Sequence, residues 1–190
     1  MKKQVIYTII GVLFLAILIV GGTYAFYVFS VTGSEPVNTV SSNFEISYVG
    51  GGSTFDGPLD LVDNKEDGYV KTLKIKVADD SVAAKLNLYI QIEQLSQSLA
   101  VDPFKWEVYG YNSRNEEVYK KQGTFRGYSN ATGHNIVNLV NYDYTLTSDE
   151  TTFIIYLWLD IVSADNSVLG TSFKGHIAAQ TEQFTGIIKQ

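Results

Sequence analysis

The chain has 190 residues, of which 20 are acidic and 14 basic, a net charge of −6 and no cysteine. That balance argues against nucleic-acid binding, which needs a basic stripe facing the phosphates, and against polybasic attachment to anionic lipid. Without cysteine there are no disulfides, so the folded part must be held by core burial alone or by neighbours in an assembly.

Lys2 and Lys3 carry the only charges before Glu35, and Val5 to Val20 is almost wholly aliphatic or aromatic. In lipid, the backbone polar groups of such a run are satisfied only as a helix. The two lysines keep the N-terminus in the cytoplasm and send the rest of the chain outside. Two fates fit this segment. A cleaved secretory signal has a basic start, an apolar core of roughly 7–15 residues and a small-residue cleavage site. Thr23 and Ala25 would flank that cut, with Phe26 as the first residue of the mature chain. A retained anchor needs roughly 20 apolar residues and would run through Gly21-Gly22 to Phe29. The expected organisation is therefore a signal peptide or single membrane-anchor helix over 1–29, a connector over 30–43 and an extracellular domain over 44–190. Removing residues 1–25 leaves 165, enough for one core. That part carries 20 acidic and 12 basic residues (14 less Lys2 and Lys3), a charge of −8.

The strand signals follow in series. Phe44 to Tyr48 alternates apolar and polar residues, the period of a half-buried strand, and Gly50-Gly51-Gly52 breaks it. Residues 56–68 read as an acidic, turn-rich loop. Leu73, Ile75 and Val77 alternate with lysines, Leu86 to Ile92 with polar residues, and Phe104, Trp106 and Val108 with Lys105 and Glu107. A turn at residues 112–115 predicts a hairpin return over 117–125. Residues 136–144 form a less regular apolar run. Thr152 to Val162 is apolar on both faces and reads as a central strand buried on both sides. Phe173 to Phe184 makes the last strand. Single helical turns fit at 94–101 and 147–151. Seven to nine strands with no βαβ alternation predict an all-β fold, an antiparallel β-sandwich of jelly-roll or immunoglobulin-like type.

The residues Gly21-Gly22-Thr23-Tyr24-Ala25-Phe26, at the end of the apolar run, resemble the export junction of the TasA/camelysin family of Gram-positive bacteria. Asn38 to Ile46 is similar to that family's approach to its first strand, and Gly170 to Ile177 to its closing strand. Together these cover about a quarter of the chain. The resemblance implies a jelly-roll domain, processing by a dedicated signal peptidase, and assembly into extracellular fibres of a biofilm matrix. It further implies that a freed segment, here Phe26, Tyr27, Val28, Phe29, Ser30 and Val31, completes the sheet of the next subunit as a donor strand. The chain departs from the family in that Val28-Phe29-Ser30-Val31 is more apolar than a connector after a cleavage site, which favours a retained anchor.

The camelysin side of the resemblance implies a metallopeptidase, but the sequence offers only His134 and His176, 42 positions apart, and no His-Glu-x-x-His. Ordinary surface placement is the expectation for both. No Gly-x-Ser-x-Gly elbow is present, and Asp79-Asp80 and Asp149-Glu150 read as turn residues and caps. No catalytic residue, cofactor or metal is therefore assigned. The acidic loop (Asp56, Asp60, Asp63, Asn64, Glu66, Asp67) has the oxygen ligands that Ca²⁺ takes, without the order of an EF-hand, and reads as a solvated loop. Asn130-Ala131-Thr132 matches an N-glycosylation acceptor. Tyr109, Tyr111, Tyr119, Tyr128, Tyr142 and Tyr144 crowd the middle of the chain, either as half-buried strand residues or as an exposed recognition face. The expected function is a non-enzymatic, exported cell-surface protein, a structural or fibre subunit of TasA-like type. The alternative is a membrane-anchored binding module that recognises carbohydrate or protein through its tyrosine-rich face, and the third reading is the camelysin-like metallopeptidase. Expected partners are the membrane, through the N-terminal helix, and further copies of the chain or other cell-surface proteins.

Overall fold

A computed structural model describes residues 29–30, 39–40, 44–49, 52–78, 83–164, 168 and 170–183. Its strands, in chain order, are β1 (Phe29–Ser30), β2 (Thr39–Val40), β3 (Phe44–Val49), β4 (Thr54–Pro58), β5 (Leu61–Val62), β6 (Tyr69–Val77), β7 (Ala84–Leu95), β8 (Phe104–Tyr111), β9 (Glu117–Thr124), β10 (Ile136–Leu146), β11 (Thr151–Asp160) and β12 (Ser172–Gln183). One sheet has the order β1-β12-β7-β10, with β4 also paired to β12; the other has the order β2-β3-β6-β11-β8-β9, with β5 also paired to β11. All pairings are antiparallel except β5 with β11, where Leu61 lies opposite Leu159. From β6 onward the chain passes between the sheets at every connection but the β8–β9 hairpin. Most of the core is thus assembled from segments distant in sequence.

The alternation read from the sequence is what packs the two sheets. Leu73, Ile75 and Val77 of β6, Phe104 and Val108 of β8, and Phe153, Ile155, Leu157 and Leu159 of β11 are buried. They meet Leu86, Leu88, Ile90 and Ile92 of β7 and Phe173, Ile177 and Ala179 of β12 in one cluster. Phe104 and Phe125 stack at 3.9 Å between ring centroids, and Phe173 meets both edge-on at 5.3 Å. Tyr48 is buried with this core, which pushes its phenol up to about 12.

Three expectations are corrected. The acidic stretch 56–68 is not a plain loop: it contains the end of β4, all of β5 and a 3-10 turn at Lys65–Asp67. β4 was missed because Asp56, Gly57 and Pro58 all disfavour strand, yet it pairs with β12 from Thr54 opposite His176 to Pro58 opposite Ser172. Gly57, at φ +145°, takes a backbone conformation that side-chain-bearing residues resist. Second, β11 is central in its sheet but buried on one face only. Ile154, Tyr156, Trp158 and Asp160 face outward and are half-buried. Third, no helical turn forms at 147–151, where β11 begins at Thr151, whereas the one expected at 94–101 is present as a 3-10 turn over Gln97–Leu99.

The irregularity expected at 136–144 has a local cause. β10 slips register against β7 between Asn138 and Val140 and again between Asn141 and Tyr144. Tyr142 sits at φ +57°, and the Asp143 carboxylate accepts the Asn141 N–H at 2.9 Å. The helix expected over the N-terminal apolar run lies outside the described residues, apart from Phe29, which with Ser30 forms β1. β2 lies within the stretch read as a connector. Among the described residues no helix is long and apolar enough to cross a membrane.

Candidate functional site

The outer face of the seven-stranded sheet gathers the aromatic residues of two neighbouring strands. Register places Ile154 of β11 opposite Tyr109 of β8, Tyr156 opposite Glu107, Trp158 opposite Lys105 and Thr152 opposite Tyr111. On the other side of β11, Ile154 lies opposite Thr72 and Tyr156 opposite Val70. Thr72 in turn lies opposite Val49 of β3. Val49 and Val70 are exposed, and Tyr109, Tyr111, Tyr156 and Trp158 are half-buried. The rings of Tyr109 and Tyr111 lie nearly parallel at 6.2 Å, and Tyr156 meets Tyr109 edge-on at 6.0 Å. The face is thus an aromatic and aliphatic strip across the middle of the sheet.

A strap holds this strip in place. After β5 the chain crosses onto the outer face of β11 through the 3-10 turn and returns as β6. It comes down at Gly68, where an added Cβ would lie 2.4 Å from the Leu157 carbonyl oxygen and 2.8 Å from the Trp158 Cβ. No larger residue fits that approach without moving backbone. The turn delivers Lys65, whose ammonium donates to Glu107 Oε2 and, at 2.7 Å, to the Tyr109 hydroxyl. Lys65 Nζ also lies 5.0 Å from the centre of the Tyr156 ring. Lys120 of β9 approaches the same carboxylate, at 3.4 Å from Oε1. Burial by itself would lower the Lys65 pKa, but the bonds to Glu107 and Tyr109 outweigh it and hold Lys65 above the usual lysine range. Burial likewise would raise the Glu107 carboxyl, and the hydrogen bond from Lys65 reverses the sign, leaving it below the usual range. Burial raises the Tyr156 phenol. The cluster is therefore charged across the physiological range, and its polar atoms are largely spent on one another.

The other tyrosines are not part of this face. Tyr119 and Tyr144 meet each other edge-on at 5.8 Å and both pack against Phe153, on the core side. The Tyr119 hydroxyl donates to the Leu139 carbonyl oxygen at 3.1 Å and to the Asp143 carboxylate at 3.0 Å; burial, and then the Asp143 carboxylate, raise its pKa. Tyr128 sits against Phe125 at 6.3 Å, and Tyr142 of β10 donates to Gln180 of β12 within the five-stranded sheet. Of the six tyrosines the sequence brings together, the fold leaves Tyr109 and Tyr111 on a shared outer face. It adds Tyr156, Trp158 and Lys65, which the sequence reading did not connect with them. The signal was present in the two-sided apolar pattern of β11, read there as double burial.

The remaining candidates are scattered. His134 is exposed in a turn closed by the Ser129 N–H to its carbonyl. His176 faces outward on β12 but is buried, a correction to its expected surface placement, with Nδ1 2.8 Å from Glu93 Oε1. In the acidic stretch, Asp56 pairs with Lys174 at 3.3 Å and Asn64 donates to Asp67, while Asp60 and Asp67 flank a small cleft beside Tyr69. No group of three or more His, Asp or Glu placed to hold a metal occurs among the described residues. Glu150 pairs with Lys74 at 2.7 Å, and Asp79-Asp80 lie outside the described residues. So do Thr23, Ala25, Phe26, Tyr27, Val28 and Val31 of the expected cleavage site and donor strand. Phe29 and Ser30 pair with the edge of β12, opposite Ala179 and Ala178.

No family model and no curated protein matches the sequence. Among solved structures, the chain is similar to a fucose binding module of Streptococcus pneumoniae, SpX-3. The identity is 10%, over 70% of this chain and 95% of that one, with a TM-score of 0.28. It is also similar to another fucose binding module from that organism, at 13% identity over 80% and 98%, with a TM-score of 0.26. Superpositions this loose carry no information on ligand or site.

Proposed function

We propose that the chain is an exported, non-enzymatic recognition module of the cell surface that docks a partner protein through the outer face of its seven-stranded sheet. The observation that carries this reading is the strip of Val49 and Val70, exposed, with Ile154, Tyr109, Tyr111 and Tyr156, half-buried, on the outer face of the central strands. Aromatic residues at a flat apolar centre with charged groups around them are the composition of protein interfaces. A sugar chain suits the same rings less well. Sugar hydroxyls are read by unpaired polar groups, and here Lys65, Glu107 and the Tyr109 hydroxyl are already bonded to each other. Export rests on Lys2-Lys3 and the apolar run that follows them.

In-cell photo-crosslinking tests the reading. With a photoreactive phenylalanine at position 111, ultraviolet light should yield a discrete protein adduct, lost when Tyr109→Ala or Tyr156→Ala is added. A second copy of the chain and a different surface protein both count in favour. An adduct of glycan alone, or adducts indifferent to both substitutions, would reject it.

A second reading, a structural subunit of TasA-like type, is favoured by one observation. β4 covers β12 only from Ser172 to His176, and the next edge positions, Ala178 and Ala179, are taken by β1. Phe29 and Ser30 belong to the segment that would be freed by cleavage after Ala25, so the same pairing made to another copy would join subunits. Polymers of residues 26–190 that vanish on deletion of 26–31 would support it; unchanged polymers would refute it.

A further inference from the structure

The seven-stranded sheet ends on one side at β9, which pairs with β8 alone. The pairing keeps one register from Lys105 opposite Thr124 to Gly110 opposite Tyr119. Just beyond it, the Phe125 N–H bonds the Phe104 carbonyl at 2.9 Å. Hydrogen-bonded positions recur at every second residue of an antiparallel pair, so Gly123, Lys121 and Tyr119 bond β8 as well. Val118, Lys120 and Gln122 therefore turn their N–H and C=O groups to the free edge, where they meet no backbone partner among the described residues. All three are exposed. We propose that this edge pairs antiparallel with β9 of a second copy of the chain, Glu117 of each copy lying opposite Lys121 of the other.

An open edge is normally guarded by bulges, by short length or by charges that stand off it. β10, at the edge of the five-stranded sheet, has the first guard: its register slips twice and Tyr142 sits at φ +57°. β2, at the opposite end of the seven-stranded sheet, has the second, being two residues long. β9 carries lysines, but both are drawn back over the protein. Lys120 Nζ lies 3.4 Å from Glu107 Oε1 and 4.8 Å from the centre of the Tyr109 ring. Lys121 donates to Asp143 of β10 at 3.5 Å. Val118 adds an exposed apolar side chain to the same edge.

Charge decides the occupant and the register. A two-fold pairing must set edge-facing residues opposite edge-facing residues. Centred on Lys120 or on Lys121, it places like charges directly opposite, which is destabilising. Centred on Val118, it needs Glu116, whose N–H and C=O are already bonded to Asn112. Centred on Gln122, it pairs no opposite charges. Centred on Tyr119, it sets Glu117 opposite Lys121 and Val118 opposite Lys120 on both sides of the axis. Lys121 has three N–H donors and one long bond to Asp143, so it can take a second carboxylate. The aliphatic stem of Lys120 covers Val118. The strand is thus its own complement. The contact is two-fold and closes on two copies, and it stands apart from the protein-docking reading.

The chain has no cysteine, so single cysteines report the contact without background. Residues 117 and 121 would form a non-hydrogen-bonded pair, whose Cα separation of about 4.5 Å lies within disulfide range. Full chains carrying Glu117→Cys or Lys121→Cys are mixed in detergent and mildly oxidised. The mixed disulfide should form well in excess of either self-disulfide, because like positions of the two copies lie roughly 13 Å apart along the strands. Val118→Pro in both chains removes an edge-facing N–H from each and no bond within the fold. The yield should then fall about tenfold or more, with thermal unfolding as in the parent. A charge swap tests the register without touching the backbone. Glu117→Lys and Lys121→Glu chains should each lose the energy transfer seen between fluorescently labelled parent chains, and recover it when mixed. Tyr156→Ala, on the docking face, should leave the disulfide yield unchanged. A mixed disulfide no more abundant than the self-disulfides, a yield that Val118→Pro leaves intact or Tyr156→Ala abolishes, or swapped chains that fail to recover would each overturn the proposal.

Discussion

Glu107 is buried to within a few per cent of its side chain, and two ammonium groups converge on its carboxylate. Taking a carboxylate out of water is costly unless it is paired and hydrogen-bonded. Here the pairing also fixes Tyr109, because Lys65 bonds the carboxylate and the phenol together. Glu107→Gln should therefore lower stability at pH 7 by about 1–3 kcal/mol, the cost of leaving a partly buried charge without its acceptor. Denaturant titration against the parent reads this directly. Because the Glu107 pKa is depressed in the fold, the difference should shrink as pH falls through that value, where the parent carboxyl also becomes neutral. Equal stability of the two proteins at pH 7 would mean that the cluster is held by the aromatic contacts alone. Neither partner of this pair was identifiable beforehand. Lys65 lies in an acidic stretch and Glu107 at an alternating strand position, 42 residues apart, and only the close approach at Gly68 brings them together.

At the scale of elements, the alternating strands were legible because each buries one side chain in two against the opposite sheet. β3 and β6 follow that rule, and so does β8 apart from the buried Glu107, whereas β7 from Leu86 to Ile90 and β12 from Gly175 to Ala179 are buried on both faces. The pattern also fails in two informative places. β11 is apolar on both faces, yet among the described residues its outer side chains meet only the turn that carries Lys65 and Gly68, and they stay half-buried. The extra apolar residues are instead neighbours of Tyr109 across the sheet, which is why the strand reads as buried and serves as a face. β4 carries three residues that disfavour strand, and it forms because β12 supplies an edge to pair with. Where the loops meet the sheets, the Phe104–Phe125 stack ties β8 to the turn after β9. Phe125 is fully buried and also touches Phe173, so no neighbour can fill its space without breaking a ring contact. Phe125→Ala should cost about 3–5 kcal/mol, the range for truncating a large core aromatic. A urea midpoint close to that of the parent would show that the loop end collapses freely around the missing ring.

The charge of the whole molecule sets how it answers to pH. Among the described residues three carboxyls are held below their usual range in the fold. Burial raises Glu107 and Asp143, but hydrogen bonds overcome it, from Lys65 to Glu107 and from the Asn141 N–H to Asp143. For Asp160 the largest influence is the hydrogen bond from Lys105. A depressed carboxyl contributes stability that is present above its unfolded pKa and lost as pH falls through its folded one. Lys65 is raised, so its contribution is complete below the ordinary lysine pKa of 10.5 and disappears only as pH climbs past the folded value. Taken together, these groups predict a stability plateau from about pH 5 to 10 and a steep acid limb below the unfolded carboxylate range of about 4. The acidic pI of 4.8 gives a second, separate response, since loss of net charge promotes association. Self-association should therefore begin near pH 4.8 while the domain is still folded, and unfolding should follow at lower pH. Light scattering and near-ultraviolet circular dichroism on one acid titration distinguish the two. Coincident transitions would show that association requires unfolding, and would count against a fold that presents its docking face and its β12 edge in the native state.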